Sequence, residues 1–194
     1  MNIIFILISL CVILIAITIH EFSHALAADI LGDPTPRFAG RLTLNPIKHL
    51  DPIGFLMLLL VRFGWAKPVP INPYNFKDPA RGSMIVSFAG PASNLFAAWF
   101  VATLIKFLPN VISTNPIFGF TGEYFIFINL ALAVFNLLPI PPLDGSHIVE
   151  PFLSEDIKRT LEQYGFFILI FILIFPPTEL LLQQTIMFLF RLIT

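Results

Sequence analysis

The sequence predicts an all-α fold, a polytopic membrane helical bundle with a re-entrant or extended segment between the first two core spans. Two observations support this prediction. Of the 194 residues, 57% are hydrophobic and only 12% are charged, whereas a soluble domain is about 25% charged. The apolar residues also come in blocks long enough to cross a hydrocarbon core of about 30 Å. The lipid bilayer is therefore an expected partner of the chain.

The length predicts one integral membrane domain over residues 1–194. Its core is expected at 3–153, and the tail at 160–194 is expected to form a hydrophobic hairpin or a broken helix around Pro176-Pro177. The net charge is −1, without a basic run, which argues against nucleic acid as a partner. The single cysteine, Cys11, excludes an intrachain disulfide and is expected to be a small buried hydrophobe.

The first predicted element is one long helix from Ile3 to Leu31, which ends at Gly32-Asp33-Pro34. At 1.5 Å per residue this helix is about 44 Å long, and His20 lies about 26 Å from its start. His20 is therefore expected towards the far leaflet and not at the bilayer midplane.

The run His20-Glu21-Phe22-Ser23-His24 places three ionisable side chains at the end of this apolar helix. Such groups are costly in a membrane unless they are paired or bind something, so they indicate a functional site. His20 and His24 lie one turn apart on the same face, where two imidazoles can bind one metal ion. Glu21 lies beside them and can transfer a proton.

Between the first two spans the sequence changes character. Residues 35–50 combine basic side chains with prolines and glycine, which is typical of a loop on the polar side. The apolar piece Ile53–Val61 is too short to span a bilayer and is expected to be re-entrant or to lie at the interface. The prolines within 65–79 forbid a helix and favour an extended edge strand or a loop.

Two further spans are expected after this segment, at about Arg81–Leu108 and Gly122–Leu138. The first contains the small residues of Gly90-Pro91-Ala92-Ser93-Asn94, and Pro91 is expected to kink the helix. The second ends at the proline-rich run 139–143, after which a short polar helix is expected.

The basic residues predict the orientation of the spans. Seven of the eleven Lys and Arg residues fall between Arg37 and Arg81, and the loop 109–121 has none. Because basic loops stay in the cytoplasm, the N-terminus is expected outside and the C-terminus inside. The active site of this multi-pass protein is then expected near the cytoplasmic side of the cell membrane.

A hydrolytic zinc site takes three protein ligands and leaves a fourth position to water. His20 and His24 supply two of them, and several residues near the cytoplasmic helix ends could supply the third: Asp29, Asp51, His49, Asp144, His147 and Glu150. Asp144 is preferred, because the prolines before it force irregular backbone, which membranes tolerate only inside protein or beside a wet cavity. Asp144 could instead cap the helix that follows it. His49 and His147 are expected to be water-exposed loop residues.

Two side-chain amides on apolar helices, Asn94 and Asn136, are candidates for binding substrate backbone or an oxyanion. Helix packing is the alternative for both. The backbone of Leu137–Leu143 is expected to offer an edge to which an unwound substrate adds as a strand. Glu21 would take a proton from the attacking water and return it to the leaving amine.

Three motifs carry a family resemblance: His20-Glu21-x-x-His24, Gly90-Pro91-x-x-Asn94 and Asn136-x-x-Pro139-x-Pro141-x-x-Asp144-Gly145. Together they resemble the site-2 protease family of intramembrane zinc metalloproteases, in a minimal form without a PDZ or nucleotide-sensing domain. The resemblance runs from Ile15 to Gly145 and includes Gly40-Arg41-Leu42-Thr43-Leu44-Asn45-Pro46.

The resemblance implies a ligand set and a reaction. His20, His24 and Asp144 would hold one zinc ion per chain, Glu21 would be the catalytic acid and base, and Asn136 would bind substrate or the oxyanion. The implied substrates are transmembrane segments of membrane-anchored regulators or remnant peptides, as in regulated intramembrane proteolysis.

Two other functions fit parts of the sequence, namely a catalytically idle membrane protein that binds metal and a metal-ion transporter. Closed structural sites use four protein ligands, so an open position with Glu21 beside it argues against an idle site. A transporter needs ionisable residues along a path through several spans, and Glu123 and Glu179 are the only acids in the far half of the membrane. The sequence therefore favours a zinc metalloendopeptidase.

Overall fold

The computed structural model describes residues 3–61, 64–108 and 115–194. Two short 3-10 turns, Pro73–Asn75 and Glu150–Phe152, join a set of α-helices within these ranges. The helices are α1 (Ile3–Ile30), α2 (Thr35–Phe38), α3 (Pro46–His49), α4 (Pro52–Val61), α5 (Pro79–Phe107), α6 (Pro116–Asn136), α7 (Asp144–Val149), α8 (Glu155–Ile174) and α9 (Pro176–Ile193). The all-α prediction is confirmed.

Three helices, α1, α5 and α6, are long and apolar enough to cross a membrane. They pack against one another, and their contact faces contain fully buried alanines: Ala16, Ala25 and Ala28 of α1, and Ala98 and Ala102 of α5. Small side chains let the backbones of membrane helices approach closely, where dispersion contacts hold them together. The chain is therefore a multi-pass membrane protein built on these three helices.

The second and third long helices, α5 and α6, each begin at a residue whose side chain caps the helix. Asp78 accepts a hydrogen bond from a backbone N–H in the first turn of α5, and Asn115 does the same for α6. In each helix a proline follows the cap directly, where its missing N–H costs nothing. The Asn115 cap explains why α6 begins before Gly122, where its start was predicted. Pro91 lies inside α5, which continues through it as one helix.

The helix α4 consists of apolar residues, and one of its faces is exposed, whereas Gly54 on the other side is buried against Trp65. Its residues Ile53, Leu56 and Leu60 are 65%, 52% and 69% exposed. With ten residues it is too short to cross a bilayer. An exposed apolar face is favourable in lipid, which agrees with the predicted re-entrant or interfacial segment.

The chain entering α4 is joined to the chain that leaves it. Leu50 and Ala66 form an isolated antiparallel bridge. The buried guanidinium of Arg41 donates hydrogen bonds to the carbonyl oxygens of Lys67, at 2.9 Å, and Pro68, at 2.8 Å. These contacts hold the proline-rich stretch in the predicted extended form at the base of the α4 excursion.

The tail contains two helices, α8 and α9, that meet with a bend of 77°. Leu169 of α8 packs on Ile140 and Leu143, which lie in the connection between α6 and α7. The last turns of α9 pack instead on Ala98 and Ile126, in the core between α5 and α6. The two halves of the tail therefore support different parts of the bundle.

The contacts of α9 correct the predicted position of the C-terminus. Phe190 of α9 shares a cavity with Phe120 at the start of α6, and Phe120 meets Phe5 of α1 with ring centroids 4.8 Å apart. The end of α9 therefore lies at the same end of the bundle as the start of α1, whereas opposite sides were predicted, because the basic residues of the tail do not reveal how its two helices turn. Cys11 is exposed and not buried as expected, since it lies on the outward face of α1.

Candidate metal centre

The two histidines of the motif project from α1 towards α5. Their Nε2 atoms are 3.0 Å apart, and both residues are 6% exposed. Gly90 of α5 makes the close packing possible, since a Cβ there would lie 2.4 Å from Nε2 of His24 and 2.7 Å from Cε1 of His20. The imidazoles therefore fill the space that a side chain at position 90 would occupy.

The other ring nitrogen of each histidine fixes its tautomer. Nδ1 of His24 donates to the carbonyl of Val86 at 2.7 Å, and Nδ1 of His20 donates to Oδ1 of Asn94 at 2.6 Å. Because neither acceptor has a hydrogen to give, each Nδ1 carries the proton and each Nε2 of a neutral imidazole is a bare lone pair. Two lone pairs at this separation repel each other, and a cation between them removes the repulsion.

Asp144 meets the two imidazoles from the first position of α7. Its Oδ2 atom lies 3.1 Å from Nε2 of His20 and 3.3 Å from Nε2 of His24. This oxygen is buried and makes no hydrogen bond. The cap position of α7 is Leu143, and no side chain caps the helix. The alternative role of Asp144 as a helix cap is therefore wrong.

The three ligand atoms fit one tetrahedral ion. Zinc binds nitrogen and oxygen at about 2.0–2.2 Å, which places neighbouring ligand atoms about 3.3 Å apart. The separations here are 3.0, 3.1 and 3.3 Å. Among the described residues no other three His, Cys, Asp or Glu side chains converge in this way.

The connection between α6 and α7 is packed tightly enough to fix Asp144. A Cβ on Gly145 would lie 2.3 Å from the carbonyl oxygen of Leu138 and 2.4 Å from that of Leu137. On the other side, a Cβ on Gly165 of α8 would lie 2.8 Å from the carbonyl oxygen of Pro141. Both close approaches require glycine, so the connection is held between the end of α6 and the face of α8.

Glu21 follows the first histidine along α1 and is buried. Its carboxylate makes no hydrogen bond or ion pair with any part of the chain that the structure describes. The carboxylate of Glu21 therefore need not break a hydrogen bond or an ion pair in order to accept a hydrogen bond from a water molecule.

Asn94 does not fit the predicted substrate-binding role. It is completely buried, and its oxygen accepts the hydrogen bond from His20. Its nitrogen donates to the carbonyl of Ala16 at 3.1 Å and to Oδ1 of Asn129 at 2.8 Å. Both hydrogens of this amide are engaged inside the protein, and complete burial keeps its oxygen out of reach of a substrate, so Asn94 is placed to orient His20.

The sequence patterns did not identify Asn129 as a candidate functional residue. It is also completely buried, and its nitrogen donates to the carbonyl of Phe125 at 2.9 Å. The signal that singled out Asn94 and Asn136, a side-chain amide in an apolar span, applies equally to Asn129 and could have found it.

Asn136 ends α6 and is half-buried. Its nitrogen donates to the carbonyl of Leu132 at 3.0 Å, and its oxygen has no hydrogen bond within the described ranges. The structure joins it by no hydrogen bond to His20, His24 or Asp144. Its oxygen can accept a hydrogen bond from another molecule.

The predicted strand edge at Leu137–Leu143 is wrong. An added strand needs free N–H groups that alternate with free carbonyls. The three prolines of this run have no N–H, and the remaining N–H groups all bond to carbonyls of the chain itself: those of Leu137, Leu138, Ile140 and Leu143. The run can accept hydrogen bonds but cannot donate them.

The other candidate ligands lie outside the centre. His49 is fully buried, contrary to the predicted exposure, because α3 packs on α1; its Nε2 bonds to the carbonyl of Thr43 at 2.8 Å. His147 is exposed as predicted and pairs with Glu150. The remaining two acids are engaged locally: Asp29 with Arg37, and Asp51 with the N–H of Gly54.

A family model and several similar proteins assign the chain to the same protein family. Residues 118–176 match the model of peptidase family M50. A Bacillus subtilis protein that bears the provisional name zinc metalloprotease YwhC is 40% identical over 173 residues, which cover 84% of this chain and 78% of that protein. A Mycolicibacterium smegmatis protein with the provisional name zinc metalloprotease Rip2 is 34% identical over 170 residues, and the match covers 84% of this chain and 65% of that protein. No solved structure gives a significant match.

The similarity to YwhC extends over most of both chains. The match to the family model covers nearly all of α6, the connection that follows it, α7 with Asp144, and α8. The chain therefore belongs to peptidase family M50, the site-2 proteases that its motifs resemble, and is a metalloprotease.

Proposed function

We propose that the protein is an intramembrane zinc metalloendopeptidase. His20, His24 and Asp144 would hold one zinc ion, and Asn94 would orient His20. The main support for a metal site is that three potential ligand atoms lie 3.0–3.3 Å from one another. In addition, the Nδ1 hydrogens of both histidines bond to other groups, and Oδ2 of Asp144 has no hydrogen bond. The zinc named for YwhC and Rip2 supports the same metal.

The reaction is hydrolysis of a peptide bond. A bound zinc ion would act as a Lewis acid towards the scissile carbonyl and the attacking water. Glu21 takes one proton from that water at a carboxylate oxygen and returns it to the leaving amine nitrogen. One C–N bond breaks and one C–O bond forms, and the second hydrogen of the water stays with the new carboxyl group, so the products are a carboxylic acid and an amine. The free oxygen of Asn136 would accept a hydrogen bond from substrate backbone.

The substrates we propose are transmembrane segments of membrane-anchored regulators or remnant peptides. The motif lies at the end of an apolar helix, about 26 Å from its start, and both histidines are shielded from solvent. A peptide bond can reach such a site by lateral approach through the membrane. The active site would lie near the cytoplasmic side, because the basic residues cluster at that end of the bundle.

Cleavage of a single-span peptide in lipid vesicles tests the activity. The wild-type protein is expected to cleave this peptide. Cleavage should stop when zinc is removed by a chelator and resume when zinc is added back. Glu21→Gln should bind zinc without cleaving, whereas Glu123→Gln, which alters an exposed acid of α6, should cleave as the wild type does. Cleavage that survives chelation or Glu21→Gln would contradict the proposal.

Two further experiments test where the enzyme acts. A soluble peptide with the same scissile sequence but no apolar segment should be cleaved poorly, and equal cleavage would argue against intramembrane action. Tyr74 is 89% exposed at the motif-bearing end of the bundle. In a Cys11→Ser background, Tyr74→Cys should react with a membrane-impermeant reagent in inverted vesicles and not in intact cells. The reverse result would place the site outside.

A further inference from the structure

A line of buried hydrogen bonds runs behind His20 across three helices. Nδ1 of His20 donates to Oδ1 of Asn94 at 2.6 Å, and Nδ2 of Asn94 donates to Oδ1 of Asn129 at 2.8 Å. Nδ2 of Asn129 donates to the carbonyl of Phe125 at 2.9 Å. We call His20, Asn94, Asn129 and Phe125 the amide chain. It connects α1 to α5 and α5 to α6.

The amide chain has only one possible direction. The carbonyl of Phe125 can accept but not donate, so Asn129 turns its nitrogen towards it and its oxygen towards α5. That oxygen and the carbonyl of Ala16 both face the nitrogen of Asn94. Asn94 must therefore present its oxygen to His20.

The orientation of Asn94 decides which nitrogen of His20 is bare. With the oxygen of Asn94 opposite, Nδ1 keeps the hydrogen and Nε2 offers a lone pair towards Asp144 and His24. If the amide were reversed, its nitrogen would face Nδ1, and the hydrogen would move to Nε2. A protonated Nε2 cannot be a metal ligand.

We propose that Asn129 is a positioning residue of the metal centre. It acts through Asn94 to hold the Nε2 lone pair of His20 towards the metal, and this inference rests on the zinc site of the proposed function. Helix packing is the competing role, because asparagines commonly join helices in membranes. Packing alone predicts a loss of stability without a specific loss of zinc affinity.

Zinc affinity separates the two roles. It would be measured on the full chain in detergent micelles by competition with a chromogenic chelator. Asn129→Leu is expected to weaken zinc binding about tenfold, at the lower end of the effect of residues that orient metal ligands. Ile126→Ala is the matched control, since Ile126 is equally buried on α6 and packs on Ala98 and Ala102. It should lower stability by opening a cavity and keep the wild-type affinity.

Two more variants make the test specific. Asn129→Ser should still fold, because a serine hydroxyl can bond to the carbonyl one turn before it, as Ser9 does to Phe5. It is too short to reach Asn94, so the same weakening is expected. In an Asn94→Leu background, Asn129→Leu should cause no further loss of zinc affinity, since Asn129 acts only through Asn94.

A spectroscopic readout follows the tautomer directly. In zinc-free protein labelled with ¹⁵N-histidine, Nε2 of His20 should be unprotonated in the wild type and partly protonated in Asn129→Leu. The proposal is overturned if both Asn129 variants bind zinc normally, if Ile126→Ala weakens zinc equally, or if the double variant loses further affinity. A wild-type chain that binds no zinc would instead contradict the proposed function.

Discussion

His24 on α1 donates its Nδ1 hydrogen to the main-chain carbonyl of Val86 on α5, across 2.7 Å. No side-chain replacement at Val86 can remove this acceptor, so the bond depends on the distance between the two helices. Gly90, one turn further along α5, sets that distance because both imidazole rings pack against it. Helix spacing and the geometry of the two imidazoles are therefore coupled.

Gly90→Ala is expected to weaken zinc binding strongly without unfolding the protein. The added methyl would lie 2.4 Å from Nε2 of His24, and the ring cannot move away without breaking its bond to Val86. Alanine is otherwise preferred to glycine within a helix by about 1 kcal/mol. We expect zinc affinity, measured by chelator competition, to fall at least about a hundredfold.

The control for this change is Gly122→Ala on α6. A Cβ there meets only the flexible end of the Ile105 side chain, at 2.8 Å, so zinc affinity should stay at the wild-type value. Normal zinc binding by Gly90→Ala would show that the spacing of α1 and α5 does not control the centre.

Glu21→Gln is expected to separate metal binding from catalysis. The glutamine keeps the size of the side chain but cannot take a proton, and loss of a general base costs on the order of 10²- to 10⁴-fold in rate. Zinc content should stay at one ion per chain by elemental analysis, while the cleavage rate falls. A large loss of bound zinc would instead assign Glu21 to holding a ligand in place.

Gly165→Ala is expected to act on the metal centre through the connection that carries Asp144. Its new methyl would lie 2.8 Å from the carbonyl oxygen of Pro141, and this backbone must shift to make room. We predict weaker zinc binding by chelator competition, with Gly122→Ala again as the control. If Gly165→Ala bound zinc as tightly as the wild type, α8 would not be what holds Asp144 in place.

Asp33 fastens the end of α1 to the start of the next long helix. It is completely buried and accepts hydrogen bonds from the N–H of Asn72 and from Nδ2 of Asn75, both at 2.7 Å, and from Thr35. Burial raises the pKa of Asp33, but these hydrogen bonds outweigh burial and lower its pKa below the ordinary 3.8.

The lowered pKa of Asp33 predicts a pH dependence of stability. Because the folded-state pKa is below the unfolded value, the ionised carboxylate stabilises the fold above pH 3.8, and this contribution is lost as the pH falls through the folded pKa. Asp33→Asn should lower the free energy of unfolding at neutral pH by about 1–2 kcal/mol. The difference between the two proteins should shrink on acidification in thermal unfolding experiments in micelles. A constant difference would argue against ionisation as its source.

Much of the structure follows from local patterns. The apolar blocks predict three long helices, and Asp78 and Asn115 are recognisable caps from residue type and the proline that follows each. The spacing of His20 and His24 predicts their shared face because helical geometry is fixed by the backbone. The path of α9 is different, since the apolar residues of the tail fit several packings equally well.

The shared face of His20 and His24, the acid beside them and the membrane setting can be recognised without a structure, because they depend on helix periodicity and hydrophobicity along one segment. The folded chain was needed to show that Asp144 and not Asp29, Asp51 or His49 reaches the imidazoles. It was also needed to show that Asn94 faces inward and that Asn129 donates no hydrogen to it but accepts one from it. Each of these depends on which helices touch and how closely. Contacts between distant segments are set by packing at glycines such as Gly90 and Gly165, and no local pattern encodes what those glycines pack against.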